Sequence, residues 1–584
     1  MKRIVLVAAM TAVVSLFAEP KEIFNGERVP LWPSIDKIPD FQEHQIGAMT
    51  DEAGKKGFVR ENNRMPYIEW YRAPANPNGA CMILVSGGSY ECCCDMCLVK
   101  DLWPKRFLEL GYVCVNLVYR TPRAKGKPCY WSGWQDGQRA VRLVRAEAAK
   151  RGFDPERIGV IGMSAGGHLT TMLATSSLTP SYEKVDKFDD IPCHVNVAIC
   201  NAPAYNTLTA ANGSARPQDG TLLLDSLKVN PSFAFDAKTC PISFHHGGTD
   251  PYTPNGSTLC YRELRKRKIS TELHLYSDKG HGAFGLERAV EFMRQLNFDG
   301  KLGKESERRI YTGKYTERVD RTNLWAGVRM PSSFPAHTNA PYLTWYVPKN
   351  LKTKAVQVVF PGGGYNHCNS TGEGLPVAEY LNAKGMTVVV VNYRVPRPPK
   401  GYPKHYVAWQ DAQRAIRIVR VSAPSRGLDP ERIGVMGFSA GGHLTLMASL
   451  SSTYRAYGPV DAIDKNTSCK VQWACPIYPA YALTDGADGA NVKGGNSDDA
   501  VHVEEFLFDV NTPPMCFVHG DGDVYSSMNS VKTWEKLRRM GVQCDLHTLA
   551  RRGHCFQFRA ADGTGSATWL DRIWEFLSSK GFNK

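Results

Sequence analysis

The sequence predicts an α/β fold built twice in tandem, each copy a mostly parallel sheet with helices on both faces. Three observations carry that prediction. The chain repeats itself: residues 134–145 read WQDGQRAVRLVR and 409–420 read WQDAQRAIRIVR, and ERIGVIGMSAGGHL at 156–169 returns as ERIGVMGFSAGGHL at 431–444. Pro66-Tyr67 with Trp70-Tyr71 returns as Pro341-Tyr342 with Trp345-Tyr346. These pairs share an offset of 275, which becomes 273 where Asp250 matches Asp523 and His281 matches His554. A nearly constant offset over so long a stretch marks a duplicated domain rather than a short solenoid repeat. Short apolar runs also alternate with segments of helical periodicity, the pattern of a parallel sheet covered by helices. Each copy has roughly 270 residues, a length suited to one α/β domain.

The elements follow in order. Residues 4–17 are apolar, preceded by Lys2 and Arg3 and followed by Ala18. That arrangement predicts a secretory leader over 1–18, and the run is short for a bilayer span. The first copy is assigned to 19–298 and the second to 323–584, joined by a charged, glycine-containing linker at 299–322. Leu31-Trp32 matches Leu324-Trp325, and the first copy carries an extra segment at about 41–63. Cys81–Val85 is read as a strand ending at Gly87-Gly88, and 112–119 as another. Ala140, Val141, Val144 and Ala148 recur at helical spacing over 135–150, with Gly152 as the stop signal. Ile158–Met163 is read as strand, 165–176 as helix, and 242–245 and 273–276 as strands with a helix between.

Composition narrows the class. Of 584 residues, 43% are apolar and 22% charged, which is globular and not disordered or collagen-like. With one long apolar run, at the N-terminus, a multi-span membrane protein is excluded. The net charge of +14 raises a nucleic-acid reading, but the basic residues are scattered among 57 acidic ones. The densest run, Arg265, Lys266, Arg267 and Lys268, is read as a solvated helix end, where cations suit the dipole. Seventeen cysteines include a crowd at Cys92, Cys93, Cys94 and Cys97. No second metal-ligand pair follows at finger spacing, so a disulfide there is expected in place of zinc.

The chemistry concentrates at two serines. Ser164 lies in Gly-Met-Ser-Ala-Gly and Ser439 in Gly-Phe-Ser-Ala-Gly, each between a strand and a helix. That tight turn lifts a hydroxyl to the edge of the sheet, and the helix N-terminus offers N–H groups to a developing negative charge. A serine hydroxyl needs a base, and the base an orienting carboxylate. Asp250 and Asp523 follow a predicted strand 86 and 84 residues on, and His281 and His554 lie 31 residues further in both copies. Asp521 competes with Asp523, which register favours. Backbone amides of Gly88, Ser89 and Ala165 in the first copy, and of Gly363, Gly364 and Ala440 in the second, are assigned to an oxyanion hole. His168 and His443 are read as helix packing, His246 and His519 as structural. Asp136 with Arg139, and Asp411 with Arg414, are read as i,i+3 ion pairs on a helix.

These residues resemble the α/β-hydrolase superfamily, and within it the acetylxylan-esterase or feruloyl-esterase-like branch. The resemblance rests on PGGGY at 361–365, Tyr393-Arg394-Val395-Pro396, Asp411 with Arg414-Ala415, and GFSAGGHL at 437–444. The first copy repeats it with Tyr119-Arg120-Thr121-Pro122, Asp136 with Arg139-Ala140, and GMSAGGHL at 162–169. It implies two tandem α/β-hydrolase domains forming an exported, secreted or periplasmic, serine carboxylic-ester hydrolase that removes acetyl or other acyl groups from a polysaccharide such as xylan. It implies no cofactor, no metal, no nucleic-acid partner and no stable membrane span. The first copy departs from the pattern: it has SGGSY for PGGGY, and cysteines where the second keeps Glu373-Gly374. Two alternatives therefore stay open, one copy catalytic beside a carbohydrate-binding pseudoenzyme, or a peptidase or amidase using the same triad.

Overall fold

Runs of Val, Ile and aromatic residues in both copies line up in a single sheet. The computed structural model describes residues 24–45, 59–60, 65–94, 103–207, 227–300 except 283, 311–486 except 336, 338 and 339, 500–556 and 568–584. The expected leader, most of the extra segment 41–63, and Cys97 lie outside them. The first copy contributes β1 (Phe24–Pro30), β2 (Tyr67–Tyr71), β3 (Cys81–Val85), β4 (Val113–Val118), β5 (Ile158–Met163), β6 (Val197–Asn201), β7 (Ile242–Gly247) and β8 (Thr271–Tyr276). The second contributes β9 (Thr316–Asn323), β10 (Tyr342–Pro348), β11 (Val356–Phe360), β12 (Thr387–Asn392), β13 (Ile433–Phe438), β14 (Trp473–Ile477), β15 (Met515–Gly520) and β16 (Cys544–Leu549). Their order is β1-β2-β4-β3-β5-β6-β7-β8-β16-β15-β14-β13-β11-β12-β10-β9. In each copy the two outer strands pair antiparallel and the other six run parallel. Strand β9 takes up residues 316–322 of the stretch expected as linker, so those residues belong to the sheet.

Helices α1 (Trp103–Glu109), α2 (Trp131–Ala146), α3 (Ala165–Thr175), α4 (Asn255–Lys266) and α5 (Leu286–Gln295) cover the first copy. Successive strand residues point to opposite faces, and both faces are apolar because both are covered. Met82, Leu84 and Ile161 pack with Phe107 of α1 and Phe292 and Met293 of α5. Their neighbours Ile83, Val85 and Val160 belong to the opposite layer, with Val141 of α2, Leu169 of α3 and Leu264 of α4. Gly152 ends the α2 region with φ 73°, as its stop signal predicts. The second copy repeats the plan with α6 (Leu375–Ala383), α7 (Tyr406–Ser422), α8 (Ala440–Leu450), α9 (Met528–Arg539) and α10 (Trp569–Ser579).

The two half-sheets join through β8 and β16, which pair antiparallel with His274 opposite His547. These residues occupy equivalent positions of the repeat, so the copies meet about a local two-fold, as identical subunits do in an isologous dimer. The pairing covers the strand edge that each copy alone would leave open. Glu272 and Asp545, also equivalent, each reach across it: Ala550 N donates to Glu272 at 3.0 Å and Ser277 N to Asp545 at 2.8 Å.

Three expectations are corrected here. Asp136 does not pair with Arg139. It is fully buried and accepts from Arg120 N at 2.7 Å, Arg120 Nε at 3.0 Å and Trp32 Nε1 at 2.9 Å. Arg139 pairs instead with Asp186 and Asp189, and the second copy does the same with Asp411 to Arg394 and Trp325, and Arg414 to Asp461 and Asp464. The i,i+3 rule describes exposed helix faces, whereas these side chains face inward and bind segments brought by the fold. Arg265 is not a solvated helix end, because it lies 3.0 Å from Asp521 of the other copy. No disulfide joins two described cysteines, and the cluster is not bridged among them. Cys93 lies buried on a two-residue strand paired with Val59–Arg60, its thiol 3.4 Å from the Tyr119 carbonyl.

Candidate active site

Each serine sits on a strained turn. Ser439 has φ 53° and ψ −116°, and Ser164 φ 58° and ψ −121°, between β13 and α8 and between β5 and α3. Such angles cost a non-glycine residue energy and persist only where the surroundings hold them. The surroundings are tight: a Cβ on Gly437 would stand 2.1 Å from the Gly441 carbonyl oxygen. Ser439 N donates to Ile477 O at 3.1 Å and Ser164 N to Asn201 O at 3.0 Å, which ties each elbow to the next strand.

In the second copy the structure brings three expected residues together. Ser439 Oγ and His554 Nε2 are hydrogen-bonded at 2.7 Å, and His554 Nδ1 lies 2.8 and 2.9 Å from the two Asp523 oxygens. Asp523 stands in the loop after β15 and is buried. Burial would push its pKa up, but hydrogen bonds from His519 and His554 hold the carboxyl well below its usual range. Burial opposes charge on His554 as well, yet Asp523 and the Cys555 side chain hold the ring up to about 9. Asp521 takes other partners. It faces Arg265 and accepts from Tyr261 Oη at 3.1 Å.

Behind the acid stands His519, whose Nε2 is 3.3 Å from Asp523 and whose Nδ1 is 2.8 Å from Ser530 Oγ. His246 repeats this behind Asp250, so both structural histidines buttress the acid. His443 and His168 are buried in their helices, and each holds the tyrosine of the glycine loop, Tyr365 at 2.8 Å and Tyr90 at 2.7 Å.

Gly363 has φ 132° and Gly364 φ 63°, and a Cβ at Gly363 would stand 2.1 Å from the His367 carbonyl. The amides of Gly363, Gly364 and Ala440 enter no hydrogen bond among the described residues, and neither do those of Gly88, Ser89 and Ala165. The loop itself is held by Glu373, which accepts from Gly362 N at 2.6 Å and from Tyr478 Oη at 3.0 Å. Tyr478 packs edge-on to His554, ring centroids 5.3 Å apart. Sequence reasoning missed Tyr478. Glu373 was visible only as part of a motif.

The first copy is looser. His281 Nδ1 is 2.8 Å from Asp250, but no hydrogen bond joins His281 to Ser164, and His281 is the more exposed histidine, at 27% against 15% for His554. The Tyr478 position is Ala202 here: each follows the residue that accepts the elbow amide, each has positive φ, and each donates its amide to the next strand. The counterpart of Glu373 falls outside the described residues.

The BD-FAE family model matches residues 72–262 and 343–537. An acetylxylan esterase of Xylanibacter ruminicola is 31% identical over 245 residues, 40% of this chain and 46% of the relative. A probable carboxylic ester hydrolase, LipM, of Mycobacterium tuberculosis is 32% identical over 142 residues, 24% of this chain and 31% of the relative. Endo-1,4-beta-xylanase B of Butyrivibrio fibrisolvens is 33% identical over 274 residues, 43% of this chain and 42% of the relative. The chain thus spans less than half the length of these curated relatives. Among solved structures, an acetyl ester-xyloside bifunctional hydrolase from Caldicellulosiruptor lactoaceticus is 29% identical, with TM-score 0.38, covering 45% of this chain and 97% of that one.

Proposed function

Because the chain belongs to the BD-FAE family, we propose that it is a serine carboxylic-ester hydrolase that removes acetyl groups from a xylan-type polysaccharide, its second copy the principal site. The hydrogen-bonded series Ser439, His554, Asp523 is the observation that carries this reading. Ser439 attacks the ester carbonyl as His554 takes its proton, and Asp523 holds the imidazole in place. The Gly363, Gly364 and Ala440 amides receive the oxyanion, and His554 then protonates the departing sugar hydroxyl. Water activated by the same histidine releases the acid. The names of the relatives, an acetylxylan esterase and an endo-xylanase, support the polysaccharide. We place the protein outside the cytoplasm on the strength of the leader predicted over 1–18. Among the described residues no helix is long and apolar enough to cross a membrane.

The missing Ser164–His281 bond favours a secondary role for the first copy, as a weak esterase or as a module that holds the polymer. The deciding experiment is acetate release from acetylated xylan by wild type, Ser164→Ala and Ser439→Ala, with an aryl acetate in parallel. Ser439→Ala is expected to lose nearly all activity and Ser164→Ala little. Full activity in the double variant would overturn the mechanism, and aryl ester cleavage without acetate from xylan would overturn the substrate.

A further inference from the structure

A cavity of about 670 Å³ opens beside the second site, within the size range of small-ligand pockets. Its wall includes His443, one turn beyond the nucleophile, and Tyr481. The Tyr481 hydroxyl abuts the oxyanion loop, since a Cβ on Gly364 would stand 3.7 Å from it. Tyr481 packs on Tyr525, and Tyr525 on His554, at 5.3 and 4.7 Å between ring centroids. Two aromatic rings, Tyr481 and Tyr525, therefore lie between the cavity and the reacting histidine.

Its charge is lopsided. Arg397, Lys400 and Lys404 line it, against the single carboxylate Glu505. Lys404 covers the Tyr481 ring at 4.0 Å. His405, driven down to about 4 by burial and by Lys404, adds no charge near neutrality. Arg397 and Lys400 are exposed and form no ion pair with a described residue. The first copy is a partial internal control, because Lys125 stands for Lys400 there. There Arg123 stands for Arg397 and is paired with Glu91, where the second copy has Asn366. Cys129 stands for Lys404 and Ser232 for Glu505. The exposed Tyr402 at the rim offers an aromatic face to a sugar ring.

We propose that this cavity binds the carboxylate of a uronic acid residue carried by the polysaccharide near the acetylated sugar, through Arg397 and Lys400, and so directs the second copy to acidic, acylated chains. The proposal rests on the polysaccharide esterase reading. An arginine fork suits a carboxylate, and a charged contact at the mouth of a site also draws the polymer to it.

The test uses full-length Ser164→Ala/Ser439→Ala protein, which is expected to bind without turning over. Titration calorimetry compares a glucuronic-acid-substituted xylo-oligosaccharide with a neutral one of equal length. The acidic ligand is expected to bind about tenfold tighter, an advantage that about 0.5 M NaCl removes. Arg397→Ala/Lys400→Ala is expected to bring the ratio close to one. The salt arm reads the same preference on protein lacking those two changes, should they impair folding. Equal affinity for the two ligands, or a preference that survives both salt and the double substitution, would overturn the proposal. If wild type releases acetate from xylan while the preference is absent, only this inference falls. If the preference is present but no acetylated polymer is cleaved, the esterase reading falls and the anion site stands.

Discussion

Tyr478 closes edge-on against His554, ring centroids 5.3 Å apart, with its hydroxyl held by Glu373 at 3.0 Å. The contact ties the glycine loop to His554, because the other oxygen of Glu373 accepts from Gly362 N. Ala202 cannot provide it in the first copy, and there the histidine is disengaged from the serine.

Replacing Tyr478 should therefore loosen His554 without touching the nucleophile. In a Ser164→Ala background, Tyr478→Ala is expected to lower kcat on an aryl acetate about 10- to 100-fold, the scale of a misplaced catalytic group, with a smaller change in KM. Tyr478→Phe keeps the ring and should lose less. Steady-state kinetics on both variants check this, and equal losses would assign the effect to the hydroxyl alone.

The charge state of His554 predicts a pH profile. In the proposed mechanism the ring must be neutral to take the serine proton, and its environment holds it protonated up to about 9. In the Ser164→Ala background kcat/KM should rise with pH and level off above about 9. Asp523→Asn should move the inflection downward and lower kcat by about 10⁴. For stability the sign is opposite. The imidazolium contact with Asp523 stabilises the fold fully below the ordinary histidine value and is lost as pH rises through about 9, which denaturation midpoints across that window would register.

Arg265 and Asp521 form an ion pair across the join of the two copies, with side chains 13% and 11% exposed. Burial raises the Asp521 carboxyl to about 6, so at neutral pH it carries a charge that depends on its arginine. Arg265→Ala should destabilise by about 3 kcal/mol, the low end for breaking a buried pair. The further change Asp521→Asn should recover much of that loss. Calorimetric or chemical denaturation of the two variants is the check.

The glycine loop predicts a contrast between neighbours. Gly363→Ala drives a Cβ to 2.1 Å from the His367 carbonyl and should lower kcat by about 100-fold or more, as loss of an oxyanion donor does. Gly364→Ser should cost far less, because its Cβ meets only Asn366 and Tyr481 at 3.7 Å, and the first copy already carries Ser89 there with φ 56°. Comparable losses in the two variants would show that loop conformation, and not the Gly363 amide, sets the rate.

Much of this protein was legible in the sequence because its signals are local. The duplication is written in the residues, strand runs and helical periodicity are short-range patterns, and the serine turn needs its glycines next to it. The spacing of Asp523 and His554 is likewise a property of the chain, since both follow strands that end at the same edge of the sheet. What only the tertiary structure decided was which partner each charged or aromatic group would meet. Asp136 lay three residues from Arg139 and bound Arg120 instead, and Arg265 read as a surface charge until the other copy brought Asp521 to it. The join of β8 to β16, and the pairing of Tyr478 with His554, bring together segments far apart in the chain. Those contacts are chosen by burial, because a buried charge or hydroxyl takes whatever partner the folded core delivers, and sequence spacing carries no record of that delivery.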